Sequence, residues 1–149
     1  MITTAFSTLF GVGYVPIAPG TVASLIALLA AWVIPDQQKT EVVLMLSFVA
    51  YVLGVWSCGA HAAKTGVADP SECVIDEVAG QWLACATAPH SLTGFCVAFV
   101  LFRLLDISKI WPVSLGERFA GGWGIMTDDM IAGAIAASVI AGLRWQGLV

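Results

Sequence analysis

Two acid pairs, Asp76-Glu77 and Asp128-Asp129, each head an apolar stretch. Carboxylates crowded into one pocket repel, and a divalent cation relieves that repulsion. Oxygen-only ligands of this kind suit Mg2+. Both pairs read as first-turn residues of helices, where the helix dipole and free N–H groups also favour acids. One exposed cap of that sort contributes only about 0.3–1 kcal/mol. The two helices share a local spelling, D-x-x-A-G, at Asp76–Gly80 and Asp129–Gly133. An Asp at i and a Gly at i+4 lie on one helix face. The small Ala-Gly pair lets two helices approach closely and bring their acids together, although close packing alone also explains the glycines.

Cations and hydroxyls complete the set. Arg103, Asp106 and Lys109 recur every three residues, so they are expected on one helical face that Pro112 ends. A plain ion-pair ladder there is worth about 0.2–0.5 kcal/mol per pair. The chemical reading puts Asp106 on a metal, with Arg103 and Lys109 neutralising phosphate oxygens. Pro19-Gly20-Thr21 opens another helix, with Thr21 the expected N-cap and Ser24 three residues on. Capping accounts for these hydroxyls. A phosphate cradle of free N–H groups and two hydroxyls accounts for them equally, with Gly11, Gly13 and Gly20 admitting a ligand close to the backbone. The segment is not G-x-x-x-x-G-K-[ST], so a nucleotide P-loop is unsupported. His61 reads as a packed histidine near the end of an apolar helix, and His90 as a solvated turn residue.

The elements that carry these residues must be greasy. Of 149 residues, 59% are hydrophobic and only 11% charged, against about 25% charged in soluble domains. So little polar surface excludes a soluble cytosolic enzyme and a disordered chain. Six Lys+Arg against ten Asp+Glu exclude a nucleic-acid binder. The cysteines, Cys58, Cys73, Cys85 and Cys96, form no C-x-x-C pair, which argues against a zinc site.

Apolar runs cover Val22–Ile34, Val42–Ala63, Val78–Ala88, Leu92–Leu105 and Met130–Leu143. Lipid-exposed backbone must satisfy its own hydrogen bonds, and barrel-strand alternation is missing. The expected fold is therefore all-α: one domain over residues 1–149, a multi-pass membrane bundle of about five main helices with an interfacial N-terminal segment. A soluble bundle with one apolar face is the competing architecture. Only the second run reaches the ~20 residues of a comfortable span. Threading the runs back and forth puts Gly11–Ser24, Ala68–Glu77, Phe102–Pro112 and Gly121–Gly133 on one face. Seven of the ten acids lie in these segments, and acids at membrane depth are usually functional. Lys64, Arg103, Lys109 and Arg118 fall on that face and Lys39 and Arg144 opposite, which favours a cytoplasmic working face.

At these motifs the chain resembles the phosphatidylglycerophosphatase A family, from about Gly11 to Gly142. The family's P-G-T-x-G-S reads here Pro19-Gly20-Thr21-Val22-Ala23-Ser24. The acidic loop matches at Asp69, Val74-Ile75-Asp76-Glu77 and Gly80. The F-R-x-x-D-x-x-K-P-x-P motif appears as Phe102-Arg103, Asp106, Lys109 and Pro112, and G-G-x-G-I-M-x-D-D-x-x-A-G runs from Gly121 to Gly133. Ala23 stands where the family has Gly, and Ile110 where it has Pro; both changes spare the charged set. The resemblance implies a Mg2+-dependent phosphatase of the bacterial inner membrane that converts phosphatidylglycerophosphate to phosphatidylglycerol and phosphate.

The expected mechanism is metal-assisted hydrolysis. Mg2+ is expected on Asp76, Glu77, Asp128 and Asp129, with Asp76 and Asp129 the best candidates for direct ligands. Asp106 or Asp69 would complete the shell or act as general base. Lys109 and Arg103 would stabilise charge on the transferring group, and Thr21 and Ser24 would orient phosphate. A covalent intermediate on an aspartate or on Thr21 is the alternative. Rival functions are a phosphatase for phosphatidic acid or a polyprenyl phosphate, an ion-binding or transport module, and a structural subunit. Acids bunched at one face argue against the transporter, which calls for helix interruptions at mid-membrane.

Overall fold

A computed structural model describes all 149 residues, the side chain of Glu117 excepted. Its regular elements are helical: α1 (Ile2–Ser7), α2 (Pro19–Trp32), α3 (Asp36–Thr65), α4 (Ile75–Cys85), α5 (Leu92–Ser108) and α6 (Gly122–Trp145), with 3-10 turns at Val12–Tyr14 and Val113–Arg118. The expected all-helical, membrane-type bundle of five main helices is what the chain forms. Two helices are long and apolar enough to cross a bilayer, α3 with 30 residues and α6 with 24. At 1.5 Å per residue they extend about 45 and 36 Å. Helices α2, α4 and α5, with 14, 11 and 17 residues, fall short of the ~20 that a span needs.

Short α4 is the hub. Ile75, Asp76, Val78, Ala79, Gly80, Gln81, Ala84 and Cys85 are all buried, because α2, α3, α5 and α6 surround it. Polar staples hold these neighbours in place. Trp82 Nε1 donates to the Ala27 carbonyl of α2 at 2.9 Å, and Ser47 Oγ of α3 donates to Ala79 O at 2.8 Å. Interhelical bonds of this type are worth about 0.6 kcal/mol each on average in membrane bundles.

The end of α4 is gathered by side chains from three directions. Lys39 Nζ donates to Ala88 O, Thr40 Oγ1 to Ala86 O at 2.9 Å, and Arg144 Nη1 to Thr87 O at 3.5 Å. Thr87 Oγ1 itself donates to Ala137 O of α6 at 2.7 Å. Ala86 is the C-cap of α4, and Thr87 and Ala88 belong to the turn that follows it. His90 also belongs here. It stacks on Trp32, with ring centroids 4.9 Å apart, and donates from Nε2 to Trp32 O. It is thus an anchored turn residue that stays partly exposed. Lys39 and Arg144 do share one end of the bundle, as the threading required.

Three boundaries differ from the sequence expectation. Helix α2 begins at Pro19, with Ala18 as N-cap in a left-handed conformation (φ 47°), so Thr21 lies inside the first turn and caps nothing. Helix α5 ends at Ser108, short of Pro112, and Lys109 is its left-handed C-cap (φ 44°). Lys109 therefore does not share the helical face of Arg103 and Asp106. Asp76 and Glu77 are within the first turn of α4, as expected. Asp128-Asp129 are not at a helix start, because α6 begins at Gly122 and places them nearly two turns in. The reason is packing: a Cβ on Gly122 would overlap the Val55 carbonyl of α3, so this glycine lets α6 start flush against its neighbour.

The D-x-x-A-G echo has the consequence anticipated for it. A Cβ on Gly133 would overlap the Gly80 carbonyl, and one on Gly80 would overlap Asp129 O and the Phe102 ring. Helices α4 and α6 cross backbone to backbone at this point. Gly133→Leu should therefore lower stability by about 1–3 kcal/mol or more through overpacking. Gly142→Ala, on the same helix with open space around it, should be neutral or slightly stabilising. Thermal unfolding of both variants in detergent checks this, and equal melting behaviour would refute the close crossing.

Candidate metal and phosphate site

The crossing of α4 and α6 sets three acids together. One carboxylate oxygen from each of Asp76, Glu77 and Asp129 lies within 4.8 Å of the others. Asp76 is 9% exposed and Asp129 3%. Glu77 Oε2 and Asp129 Oδ2 are buried with no hydrogen-bond partner. Orphaned buried carboxylate oxygens at this spacing are costly without a counterion. A hard divalent cation fits the donor set: oxygen-only, acidic and nearly closed to solvent. The fit rests on these residues alone.

Two cations flank the acids. Arg103 of α5 pairs with Asp106 one turn on, lies 3.8 Å from Glu77 Oε1, and donates from Nη2 to Thr21 Oγ1 at 3.4 Å. Lys109 Nζ donates to Asp128 Oδ2 at 2.7 Å. Its left-handed backbone, sparsely populated for a non-glycine, turns the side chain away from the α5 ladder and towards α6. Asp128 is thus held by Lys109, outside the three-acid cluster, whereas the sequence placed it among the metal ligands.

These groups line one basin of about 310 Å³, together with Ala18, Pro19, Gly20, Asp69, Ser71 and Cys73. The start of α2, at Ala18, Pro19 and Gly20, lines the same space as the two cations. Gly20 serves a purpose the sequence did not specify: a Cβ there would overlap Glu77 Oε1. Ser24 does not reach the basin. It is fully buried and its hydroxyl donates to Gly20 O at 2.9 Å, which leaves Thr21 as the hydroxyl beside Arg103. Asp69 stands on the exposed loop and lines the basin's open side.

One pair escaped sequence reasoning. His61 of α3 is buried, and its Nε2 donates to Glu72 Oε1 at 3.0 Å. The backbone around Glu72 is braced twice more. A Cβ on Gly13 would overlap the Glu72 carbonyl, and Val74 N donates to Ser7 O at 2.9 Å. The N-terminal segment and His61 thus clamp the loop that delivers Asp69 and Asp76. The only sequence signal was a histidine at the end of an apolar helix, eleven residues before an acid.

The hydrogen bond from His61, then one from backbone, hold the Glu72 carboxyl below the usual glutamate range. A group with a depressed folded pKa stabilises above its unfolded value, about 4.3, and loses that contribution as pH falls through the folded value. Glu72→Gln should therefore cost about 1 kcal/mol at pH 7, or about 2–4 °C in melting temperature. The gap to the native chain should close below about pH 4. Melting curves across pH test this; a gap independent of pH would remove the clamp's ionic character.

With this geometry in place, comparison with known proteins is informative. The family model for phosphatidylglycerophosphatase A matches residues 5–144. Phosphatidylglycerophosphatase A of Escherichia coli is 35% identical over 133 residues, which cover 88% of this chain and 77% of the relative. The Haemophilus influenzae protein of the same name is 31% identical over 138 residues, 91% of this chain and 85% of the relative. A putative phosphatidylinositol-3-phosphatase of Bacteroides thetaiotaomicron is 34% identical over 144 residues, 91% and 89% of the two chains. No solved structure matches. The acids, cations and glycines gathered at the crossing of α4 and α6 are those of the four motifs, and the chain belongs to the phosphatidylglycerophosphatase A family of phosphatases.

Proposed function

We propose that this protein hydrolyses the phosphomonoester of phosphatidylglycerophosphate, with Mg2+, at the cytoplasmic face of a bacterial inner membrane. The observation that carries the reading is a single basin holding three acids with orphaned oxygens, two cations and a helix start. Lys64, Arg103, Lys109 and Arg118 belong to the segments at the basin end and Lys39 and Arg144 to the opposite end, which supports the cytoplasmic orientation. Apolar α3 and α6 support a chain that crosses the membrane more than once, with the shorter helices packed between them.

Asp76, Glu77 and Asp129 would hold Mg2+, which lowers the pKa of a bound water and polarises a phosphoryl oxygen. Arg103 and Lys109 bind the other phosphoryl oxygens and offset the charge that builds as the water oxygen bonds to phosphorus. Thr21, bonded to Arg103, fixes the guanidinium in orientation. The bond from phosphorus to the alcohol oxygen breaks, and that oxygen takes a proton from solvent as it leaves. The water proton passes to a carboxylate, Asp106 on the inner wall or Asp69 on the open side.

The deciding measurement is phosphate release from phosphatidylglycerophosphate in detergent micelles, with and without Mg2+. Asp76→Asn and Asp129→Asn should each lower turnover at least about a hundredfold and weaken the Mg2+ response. Full activity with Mg2+ chelated would end the metal assignment. The Bacteroides relative's name favours a second substrate, phosphatidylinositol 3-phosphate, so both lipids belong in the assay. Activity on the inositol lipid alone would transfer the reading to it.

A further inference from the structure

A second recess of about 440 Å³ adjoins the basin. The two share Asp69, Lys109 and Asp128 and no other residue. These three therefore form the boundary. The acid cluster, Arg103 and Asp106 lie on one side of it. On the other side the walls are uncharged, formed by Ala68 and by the turn into α6 from Phe119 to Ile125. Tight glycine contacts build this turn. A Cβ on Gly124 would overlap the Phe119 carbonyl, and one on Gly116 would overlap the Asp128 backbone. Gly121 reverses the chain with φ 62°. The turn is therefore a firm shelf, with the Phe119 side chain 58% exposed upon it.

This layout orders a substrate. In an in-line displacement the attacking and leaving oxygens lie on opposite sides of phosphorus. If attack comes from the acid cluster, the leaving alcohol points across the Lys109–Asp128 pair into the recess. The occupant must tolerate uncharged walls and one polar edge. A polyol does both, since its C–H face can lie on an aromatic ring while a free hydroxyl donates to Asp69 or Asp128. We propose that the recess seats the leaving polyol, the headgroup glycerol in the case of phosphatidylglycerophosphate. Phe119 forms its floor, and Ala68 and Ala120 set its width. The inference rests on the proposed function, and it makes headgroup size a property of these three residues.

The test is calorimetric binding of glycerol 3-phosphate and inorganic phosphate to the full chain in detergent with Mg2+, beside lipid turnover. The native chain should bind glycerol phosphate at least fivefold more tightly than inorganic phosphate. Ala120→Trp and Ala68→Trp, which narrow the recess from opposite walls, should remove that preference and leave inorganic phosphate binding unchanged. Phe119→Ala should remove it without narrowing anything. All three positions are exposed at the surface, so the variants should fold. Turnover of phosphatidylglycerophosphate should show a raised KM with kcat little altered. A native chain without the preference, variants that retain it, or variants that weaken both ligands equally would overturn the proposal. Failure of the proposed function looks different: no phosphate is released from any lipid, whatever the binding shows.

Discussion

Everything at the working end depends on how closely α4 and α6 can approach. Carboxylates from two helices meet within hydrogen-bond range of a common point only when the backbones nearly touch. Gly80 and Gly133 supply that approach: a Cβ on Gly133 would overlap the Gly80 backbone, and one on Gly80 would overlap Asp129 O. The geometry is not free. Asp76, Glu77 and Asp129 are concentrated where burial disfavours charge, and the repulsion among them opposes the crossing that creates them. Contacts elsewhere must offset this. The polar staples and small buried residues on α4 do so: Ala79 and Ala84 are fully enclosed, and Trp82 and Ser47 tie α4 to its neighbours.

The arrangement also explains why the hub is the shortest main helix. A longer α4 would carry its first turn, with Asp76 and Glu77, away from the Asp129 turn of α6. Its length is fixed at the opposite end by Lys39, Thr40 and Arg144, which take the carbonyls of residues 86–88 and prevent the helix from sliding. Lys39 is almost fully buried while doing so, its Nζ 5.4 Å from the centre of the Phe95 ring. Position at one end and chemistry at the other are coupled through about 16 Å of rigid helix.

Much of this was legible in the sequence, for a definable reason. Fixed spacing on a helix transmits directly into space, so the D-x-x-A-G echo forecast both the crossing and the meeting of Asp76 with Asp129. Arg103 and Asp106, one turn apart, paired as their spacing required. The failures occurred where distant packing overruled local rules. Gly121-Gly122-Trp123-Gly124 reads as a loop by propensity, yet the Val55 carbonyl accepts α6 there only because Gly122 has no side chain. Lys109 continues a period of three, yet leaves the helix with a positive φ and meets Asp128 across the basin. Pro19 at the first helical position was a usable signal for the start of α2, and reading it would have moved Thr21 from the cap into the first turn, where it meets Arg103. The contact between His61 and Glu72, like the shelf at Phe119, joins segments that no periodicity relates.

The distribution of unsatisfied groups separates scaffold from site. At the far end, Lys39, Thr40, Thr87, His90 and Arg144 each meet a carbonyl. One turn inside that end, Gln81 Oε1 is buried without a partner, an uncharged atom. At the basin end Glu77 Oε2, Asp129 Oδ2 and Arg103 Nε lack partners, and His61 Nδ1 lacks one beside the acidic loop. A fold that selects only for stability has no reason to partner the charged groups of one end and leave charged atoms orphaned at the other. Groups that must bind something else are the ones kept unpaired, and the stability lost there is the usual consequence of a preformed site. Oppositely charged Arg103 and Glu77 stand 3.8 Å apart without closing into a tight pair, because the guanidinium also engages Asp106 and Thr21.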